Sequence, residues 1–249
     1  MDTGTHDRAA ALRLLAPQGR LRAAINYGNL ALARRAADGS EPGGIAVDLA
    51  RALAAALGVP CDLVGFDAAG KVTDGMDGWD VAFLAVDPAR AERLAFTPAY
   101  VQIAACYMVH ADSPLRTPAD VDAPGRRVAV GRGAAYDLHL SRALQHARLE
   151  RCATAPEAFA LFESQPLDAA AGVRRVVQQY AGSRPHLRVM DEDFLAIDQA
   201  LCVPRDRLAG QERGLDWLAA WVESAKRDAL VAQAVQRSGE TGIRVAPPA

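Results

Sequence analysis

The feature that most constrains the fold of this 249-residue chain is the alternation of short apolar runs with helical patterns. Apolar runs of strand length stand at 21–25, 61–66, 81–84, 128–130, 167–170 and 201–203. Helical patterns stand between or after them at 47–57, 135–147, 156–163, 173–180 and 215–236. Parallel strands need crossover connections of helix length, so this alternation predicts an α/β fold of mostly parallel sheet with flanking helices.

Local signals at helix ends refine these assignments. Gly58 directly follows the helix predicted at 47–57, and glycine is the residue that most often closes a helix. The last helical pattern is expected to break near Arg227 and Asp228. Residues 241–249 are expected to form a frayed tail.

Composition and charge exclude several classes of protein. With 51% hydrophobic and 23% charged residues, the chain can bury one large core or two modest ones. A net charge of −2 and the lack of any run of ~18 apolar residues predict neither nucleic-acid binding nor membrane insertion. The cysteines lack CxxC spacing, which predicts free thiols, no metal site and no cofactor: Cys61, Cys106, Cys152 and Cys202.

The stretch from Trp79 to Tyr100 carries the strongest chemical signal. Its apolar run is followed by Asp87 and Pro88, which suit a helix N-cap and a first helical turn. Arg90 then lies just inside the predicted helix. Unpaired N–H groups and positive partial charge gather at a helix N-terminus, so an arginine there suits a carboxylate or phosphate. An ordinary surface arginine in a first turn is the alternative.

The same stretch resembles the first-lobe signature of the family 3 extracellular solute-binding proteins, the polar amino-acid receptors of ABC importers. In that signature a Ser/Thr-rich loop leads to an arginine, four further residues and a Phe-Ser/Thr-x-x-Tyr run. Here Arg90 is followed by 91–94, then by Ala95, and then by the run 96–100. Further stretches resemble the family in the same order at 44–53, 127–135 and 167–172. The resemblance spans residues 19–238 or thereabouts.

The resemblance implies a type II periplasmic-binding-protein-like fold with two lobes, each a mostly parallel sheet flanked by helices. Residues 1–109 plus 195–249 would form a discontinuous first lobe, and residues 110–194 the second. Strands near 103–110 and 191–199 would form the hinge. Ligand is then expected in an interlobe cleft, where loops at the carboxyl ends of strands meet.

For the first lobe, the resemblance implies that Arg90 holds a ligand carboxylate with a bidentate pair and stays hydrated when no ligand is bound. In amino-acid binders Ser/Thr hydroxyls precede that arginine, but the matching positions here are Phe83 and Ala85. Gln199, near the return crossing, is a further candidate ligand contact. Arg90 is thus the expected centre of the carboxylate site.

The loop after the first strand is where the family places an aromatic platform and side-chain selectivity. Asn26 and Asn29 are expected to hydrogen-bond a polar ligand end while Tyr27 stacks on it. Asn and Gly are also common turn residues, so a purely structural turn stays open as the alternative.

For the second lobe, the resemblance places ligand contacts in a glycine turn and at a strand end. The family's Gly-Thr-Thr turn reads Gly133, Ala134 and Ala135 here, whose amides are expected to serve. Tyr136 follows as a weaker candidate. The acidic partner of a ligand ammonium falls at Val173, which argues against a standard α-amino acid because a buried unpaired ammonium is costly.

The next residue, Arg174, is interpreted as a solvated helix residue rather than a second clamp.

The function that these residues imply is non-enzymatic capture of a small carboxylate, with an ABC transporter permease as a possible partner and a monomeric state. One alternative is an enzyme resembling cyclohexadienyl dehydratases, which needs a general acid that His110, His139, His146 and Glu92 do not clearly supply. Another is a ligand-sensing domain. The resemblance implies a periplasmic location, but the sequence has no evident export signal, which would make it cytoplasmic if Met1 is the native start.

Overall fold

The computed structural model describes residues 3–35, 41–240 and 242–249, with side chains described from residue 7 onward. Two compact units are present: Met1–Gln102 with Asp198–Ala249, and Ile103–Ile197. They are called unit 1 and unit 2 below. Two long strands, Leu94–His110 and Leu187–Pro204, each run from one unit into the other. The lobe boundaries predicted from the sequence, 109/110 and 194/195, also lie within these two strands, but at other residues than the boundaries of the units. They stay a prediction.

Unit 1 contains these elements, in chain order: α1 (Thr3–Leu15), β1 (Leu21–Asn26), α2 (Ile45–Leu57), β2 (Cys61–Phe66), α3 (Ala69–Asp74), β3 (Val81–Ala85), α4 (Pro88–Ala91), the first part of β4 (Leu94–His110), the last part of β8 (Leu187–Pro204), α9 (Glu212–Arg227), α10 (Leu230–Ser238) and β9 (Ile243–Val245). Unit 2 contains the rest of β4 and β8 together with α5 (Pro118–Val121), β5 (Arg127–Gly131), α6 (Ala135–Ala143), β6 (Arg148–Cys152), α7 (Ala155–Ser164), β7 (Ala169–Val173) and α8 (Arg174–Ala181).

The sheet of unit 1 places the ends of three strands at one edge. Strand β1 pairs in parallel with both β2 and β3, while β3 pairs antiparallel with β8. Because β1 and β3 run the same way, the loops that follow Asn26 and Ala85 leave the sheet at the same edge. Gln199 of β8 lies opposite Ala85, so it stands at this edge too. This edge of unit 1 is called edge 1 below.

Sheet and helices of unit 1 enclose an apolar core. Helix α2 buries Ile45, Leu49 and Leu53 and packs on β1 and β2, as the apolar spacing of its sequence predicts. It ends at Gly58, whose φ of 68° is left-handed and costs a glycine little. On the other side, the fully buried Trp79 donates its indole N–H to the Val72 carbonyl oxygen over 3.0 Å.

Unit 2 has its own sheet and core. Strand β5 pairs in parallel with β6 and β7, and β7 pairs antiparallel with β4. The loops after β5 and β7 therefore leave the sheet at one edge, called edge 2 below. Phe159 and Phe162 of α7 and Val177 of α8 pack with Cys106 and Met108 of β4 in the core.

Gly172 gives a stability test for this second core. A Cβ at position 172 would lie 2.9 Å from both the Phe159 ring and Val177 Cγ2, so Gly172→Ala forces the core to shift. We expect it to lower the free energy of unfolding by about 1–3 kcal/mol in urea titrations. The control is Gly70→Ala in α3, where a Cβ meets nothing within 4 Å and no loss is expected. Equal stability of both variants would contradict this account of the core.

Three differences from the sequence predictions concern the tail, the end of α6 and the strand β6. Residues 243–245 form β9 on β4 and Ala246 N–H donates to the Tyr100 carbonyl oxygen over 3.1 Å, so the expected frayed tail is wrong there. The helix predicted at 135–147 ends at Ala143, and the Asp122 carboxylate accepts N–H bonds from the turn that follows. Strand β6 was not predicted because charged residues interrupt its apolar pattern at the sheet edge.

Within the described residues, no helix has the length and hydropathy that a membrane span requires. The same part of the chain contains no cluster of three or more His, Cys, Asp or Glu side chains placed to hold a metal ion. Cys106 and Cys202 are buried free thiols, while Cys61 and Cys152 are half-buried free thiols.

Candidate functional site

Arg90 lies at edge 1 in a compact turn. Asp87 caps α4 by accepting the Ala89 N–H over 2.9 Å, and Arg90 Nη1 donates to the Ala85 carbonyl oxygen over 2.9 Å. Only 7% of Arg90 is exposed, so the expectation that it stays hydrated is wrong. Burial lowers the pKa of Arg90, and the nearby Asp87 carboxylate opposes that shift. With four residues, α4 is too short for the helix-terminus argument to add much.

The paired strands β3 and β8 bring three predicted contacts onto one face. Phe83 lies opposite Leu201 and Ala85 lies opposite Gln199, so side chains of Phe83, Ala85 and Gln199 point to the same side of the sheet. All three are buried, with Gln199 only 2% exposed. The Phe83 ring packs edge-on against Tyr100, with ring centroids 5.9 Å apart. Gln199 therefore lies on the same face of the sheet as the side chain of Ala85, the residue whose carbonyl oxygen accepts from Arg90.

The loop after β1 is partly a structural turn. Asn26 Oδ1 accepts the Gly28 N–H over 3.0 Å, which is a local Asx turn. Tyr27 packs over Gly65, and the guanidinium of Arg35 lies 4.5 Å from its ring centroid. That ring face is therefore occupied by a cation. Asn29 differs, because its Oδ1 is buried and finds no hydrogen-bond partner in the part of the chain that the structure describes.

At edge 2, the glycine turn is held by a buried carboxylate. Gly133 adopts φ 70° and donates its N–H to Asp137 Oδ2 over 2.8 Å, while Asp137 Oδ1 accepts from Arg151 Nε over 2.8 Å. The Ala134 N–H donates to the Gly131 carbonyl oxygen over 3.3 Å. The Gly133 N–H is therefore already used in a hydrogen bond inside the protein. The Ala135 amide, at the start of α6, stays the better candidate for a ligand contact.

Two other predicted residues of unit 2 lie in different surroundings. Tyr136 is buried, with its hydroxyl against Gly131, and burial raises its pKa. Val173 is the half-buried N-cap residue of α8 at edge 2. Arg174 is not a solvated helix residue as predicted, because its guanidinium pairs with Asp193 and donates to the Met190 carbonyl oxygen over 3.0 Å. Arg174 therefore secures the strand β8 rather than offering a separate cation.

Sequence reasoning missed two residues of edge 1. Leu30, in the loop after β1, is 44% exposed, and Val86, directly after β3, is 41% exposed. They are the large hydrophobic residues that stand out as exposed within the described part of the chain. Both residues lie in loops that leave the sheet at edge 1, where a ligand is expected. An apolar residue in a loop after a strand was the signal that could have found them.

The chain folds as an α/β protein with two units and two crossing strands, the architecture of type II solute-binding proteins. The sequence profile of the bacterial extracellular solute-binding proteins, family 3, matches residues 21–238, so the chain belongs to that family. The resemblance stated from the sequence is confirmed. The comparison with curated protein sequences found no match.

Solved structures agree on the fold at low sequence identity. A mutant of ArgBP from T. maritima is 18% identical with a TM-score of 0.74, covering 92% of this chain and 99% of its own. The solute receptor for L-cysteine of Neisseria gonorrhoeae is 20% identical with a TM-score of 0.74, covering 92% of each chain. An ancestral amino-acid-binding protein described as a precursor of cyclohexadienyl dehydratase is 21% identical with a TM-score of 0.73, covering 92% and 99%.

Proposed function

We propose that this solute-binding protein captures a small carboxylate-bearing solute other than a standard α-amino acid and delivers it to an ABC transporter permease as a periplasmic monomer. The observation that carries the proposal is the buried Arg90 at edge 1. A guanidinium is the side chain best suited to a planar carboxylate. Solved relatives named for arginine, lysine and cysteine make an amino acid the main rival ligand.

The strand end at edge 2 supports a ligand without an ammonium group. Val173 offers no charge there, and the neighbouring Asp193 carboxylate is paired with Arg174. A ligand ammonium beside Val173 would lose water without gaining a carboxylate, which costs several kcal/mol. The proposal therefore favours a neutral group at that end of the ligand.

The exposed apolar residues support an apolar remainder of the ligand. Leu30 and Val86 are nearly half exposed at edge 1, and covering such side chains with an apolar ligand group is favourable by ~25 cal/mol per Å². Asn29 adds a single buried acceptor in the same loop. The favoured ligand is thus a carboxylate with an apolar chain.

Thermal shift with matched pairs of compounds tests the proposal. The pairs differ only in the ammonium group: propanoate and L-alanine, 4-methylpentanoate and L-leucine, 3-phenylpropanoate and L-phenylalanine. We expect at least one monocarboxylate to raise Tm while its amino-acid partner does not, since a ligand at one hundred times its Kd adds ~2.7 kcal/mol. Strong stabilisation by the amino acids alone would contradict the proposal.

Introducing a carboxylate at position 173 is expected to change the preferred ligand. Val173→Asp supplies the missing ammonium partner at edge 2, so we expect L-leucine to bind at least ~10-fold tighter than to the wild type. Gln178→Asp, exposed on the same helix α8, is the matched control and should change nothing. Calorimetry with L-leucine measures both. No gain in Val173→Asp would place the ammonium end of the site elsewhere.

The proposal also holds that the chain is not an enzyme. Likeness to the ancestral precursor of a dehydratase keeps a dehydratase-like activity as the second candidate. In unit 2, however, His110 stacks on Phe162 with ring centroids 4.6 Å apart, and Glu163 is engaged by Tyr180 and Arg184. His110 and Glu163 are therefore engaged in contacts that stabilise unit 2, which argues against a role for them as a general acid. Conversion of a cyclohexadienyl carboxylate by the purified protein would favour the enzyme instead.

A further inference from the structure

The aromatic ring of Tyr27 at edge 1 is covered by a cation of the chain itself. Tyr27 directly follows β1, and the guanidinium carbon of Arg35 lies 4.5 Å from its ring centroid. At that distance a guanidinium is attracted to the face of a ring. Gly65 of β2 leaves room for both side chains, because a Cβ there would lie 2.8 Å from Tyr27 Cε2 and 3.4 Å from Arg35 Nη2. Arg35 is therefore held in a defined place although it is exposed.

The charge of Arg35 is not neutralised by an ion pair in the part of the chain that the structure describes. Asp67, a carboxylate that the charge of Arg35 influences, is paired with Lys71 over 2.8 Å. Arg51, a second cation whose charge acts on the same tyrosine, is paired with Glu41. An exposed guanidinium that no carboxylate of its own chain neutralises is suited to an anion from solution.

The register of the sheet puts this pair on the strand next to the one that leads to Arg90. Strands β1 and β3 are parallel neighbours, and continuing the register of their paired residues makes Tyr27 level with Ala85. The Ala85 carbonyl oxygen accepts the hydrogen bond from Arg90. Neighbouring strands lie ~4.8 Å apart. The Tyr27–Arg35 pair and the Arg90 turn therefore stand at the same edge of one sheet, on adjacent strands.

We infer that Arg35 is a specificity determinant of this site, which disfavours solutes with a cationic end and favours solutes that carry a second carboxylate. This inference rests on the proposed function, in which Arg90 holds the first carboxylate. The face of a free aromatic ring attracts a cation of the ligand. Here the guanidinium of Arg35 occupies the ring of Tyr27 and repels a second cation, while a carboxylate beside it meets an opposite charge. The favoured substrate class is therefore a short dicarboxylate with an apolar chain.

Calorimetry with chain-matched probes tests the inference. Each set has the same number of carbons and differs only at the far end: butanoate, butanedioate and 4-aminobutanoate, with the corresponding sets of six and eight carbons. At the best chain length, we expect the wild type to bind the dicarboxylate ~2- to 5-fold tighter than the monocarboxylate, and the amino carboxylate ~2- to 5-fold more weakly, as exposed charge pairs contribute. The ratio of dicarboxylate to amino-carboxylate affinity should fall at high salt, because exposed charges are screened.

Variants of the pair separate a role in specificity from a structural role. Arg35→Ala should bring the affinities for the three probes of a set together, because it removes the charge and frees the ring for the amino carboxylate. Arg35→Gln removes the charge but keeps a long polar side chain, and it should have the same effect on the dicarboxylate. Tyr27→Phe retains the ring that holds Arg35 and should retain the discrimination, whereas Tyr27→Leu should lose most of it. Arg213→Ala, exposed on α9, is the matched control and should keep the wild-type ratio.

The possible failures are distinct. If the wild type binds a monocarboxylate but both Arg35 variants keep the wild-type ratio of dicarboxylate to amino-carboxylate affinity, the role of Arg35 is wrong while the proposed function stands. The same holds if the amino carboxylate is the tightest probe of the wild type. If the wild type binds no probe of any set, the proposed carboxylate function and the role of Arg35 are wrong together. Circular dichroism of each variant confirms that the fold is retained before binding is compared.

Discussion

Arg90→Ala is expected to weaken binding of a monocarboxylate by ~30-fold to several-thousand-fold, because removing one partner of a desolvated charge pair costs ~2–5 kcal/mol. Arg90→Lys should recover only part of this loss, since a point charge cannot reproduce the planar fork of the guanidinium. Titration of 4-methylpentanoate into each variant by calorimetry measures the effect. Arg93→Ala, exposed three residues later in the same loop, is the control and should bind normally.

The same variant is expected to lose stability, which the sequence alone did not indicate. Arg90 is buried, donates to the Ala85 carbonyl oxygen and lies near the buried Asp87 carboxylate. Its removal leaves those oxygens less well paired, so we expect a loss of about 1–3 kcal/mol in the free energy of unfolding. Normal affinity in a folded Arg90→Ala protein would show that the carboxylate is held elsewhere.

Asp80→Ala is expected to destabilise unit 1 by about 3–5 kcal/mol, because it leaves two arginines without the buried carboxylate that they share. The Asp80 carboxylate is buried, with 1% of the residue exposed, and accepts hydrogen bonds from Arg22 Nη2 over 2.7 Å and from Arg22 Nε over 3.0 Å. Arg207 Nη1 donates a third hydrogen bond to it over 3.3 Å. The hydrogen bonds that Arg22 donates to Asp80 raise the pKa of Arg22. Urea unfolding measures the loss.

The matched control for Asp80 is an exposed pair of the same chemistry. Asp62 accepts from Arg20 over 2.8 Å, but both side chains are roughly half exposed, so Asp62→Ala should cost at most ~1 kcal/mol. Asp80 precedes β3 and therefore lies at the sheet end opposite edge 1. Affinity per folded molecule should stay unchanged in Asp80→Ala. If Asp80→Ala lost less free energy of unfolding than Asp62→Ala, the stabilising role of the buried Asp80 carboxylate and its two arginines would be contradicted.

Local sequence determined most of the elements of the sheet. The strand at Cys61–Phe66 has the predicted bounds, and β1, β3 and β5 extend their predicted runs by only a residue or so at either end. The break of the last helical pattern falls between α9 and α10, where Ala229 adopts φ 60°. Periodicity and end signals act within a few residues, which is why the sequence contains them.

Elements that depend on distant partners were not predictable in this way. Strand β6 carries charged residues and exists through its pairing with β5, and β9 exists through its pairing with β4. Helix α1 has little apolar bias of its own and packs against α9. In each case a partner far along the chain supplies the hydrogen bonds or the apolar surface, and no local pattern records that partner.

The candidate site divides in the same way. The sequence by itself determined the family, the arginine at position 90, and the absence of an acidic residue at position 173. Only the tertiary structure decided that Arg90 is buried, that Asp137 accepts the Gly133 N–H, and that Gln199 lies opposite Ala85. Residue identity fixes which chemical groups are available. Burial and hydrogen-bond pairing arise from strand register and from contacts between distant segments, so they become defined when the chain has folded.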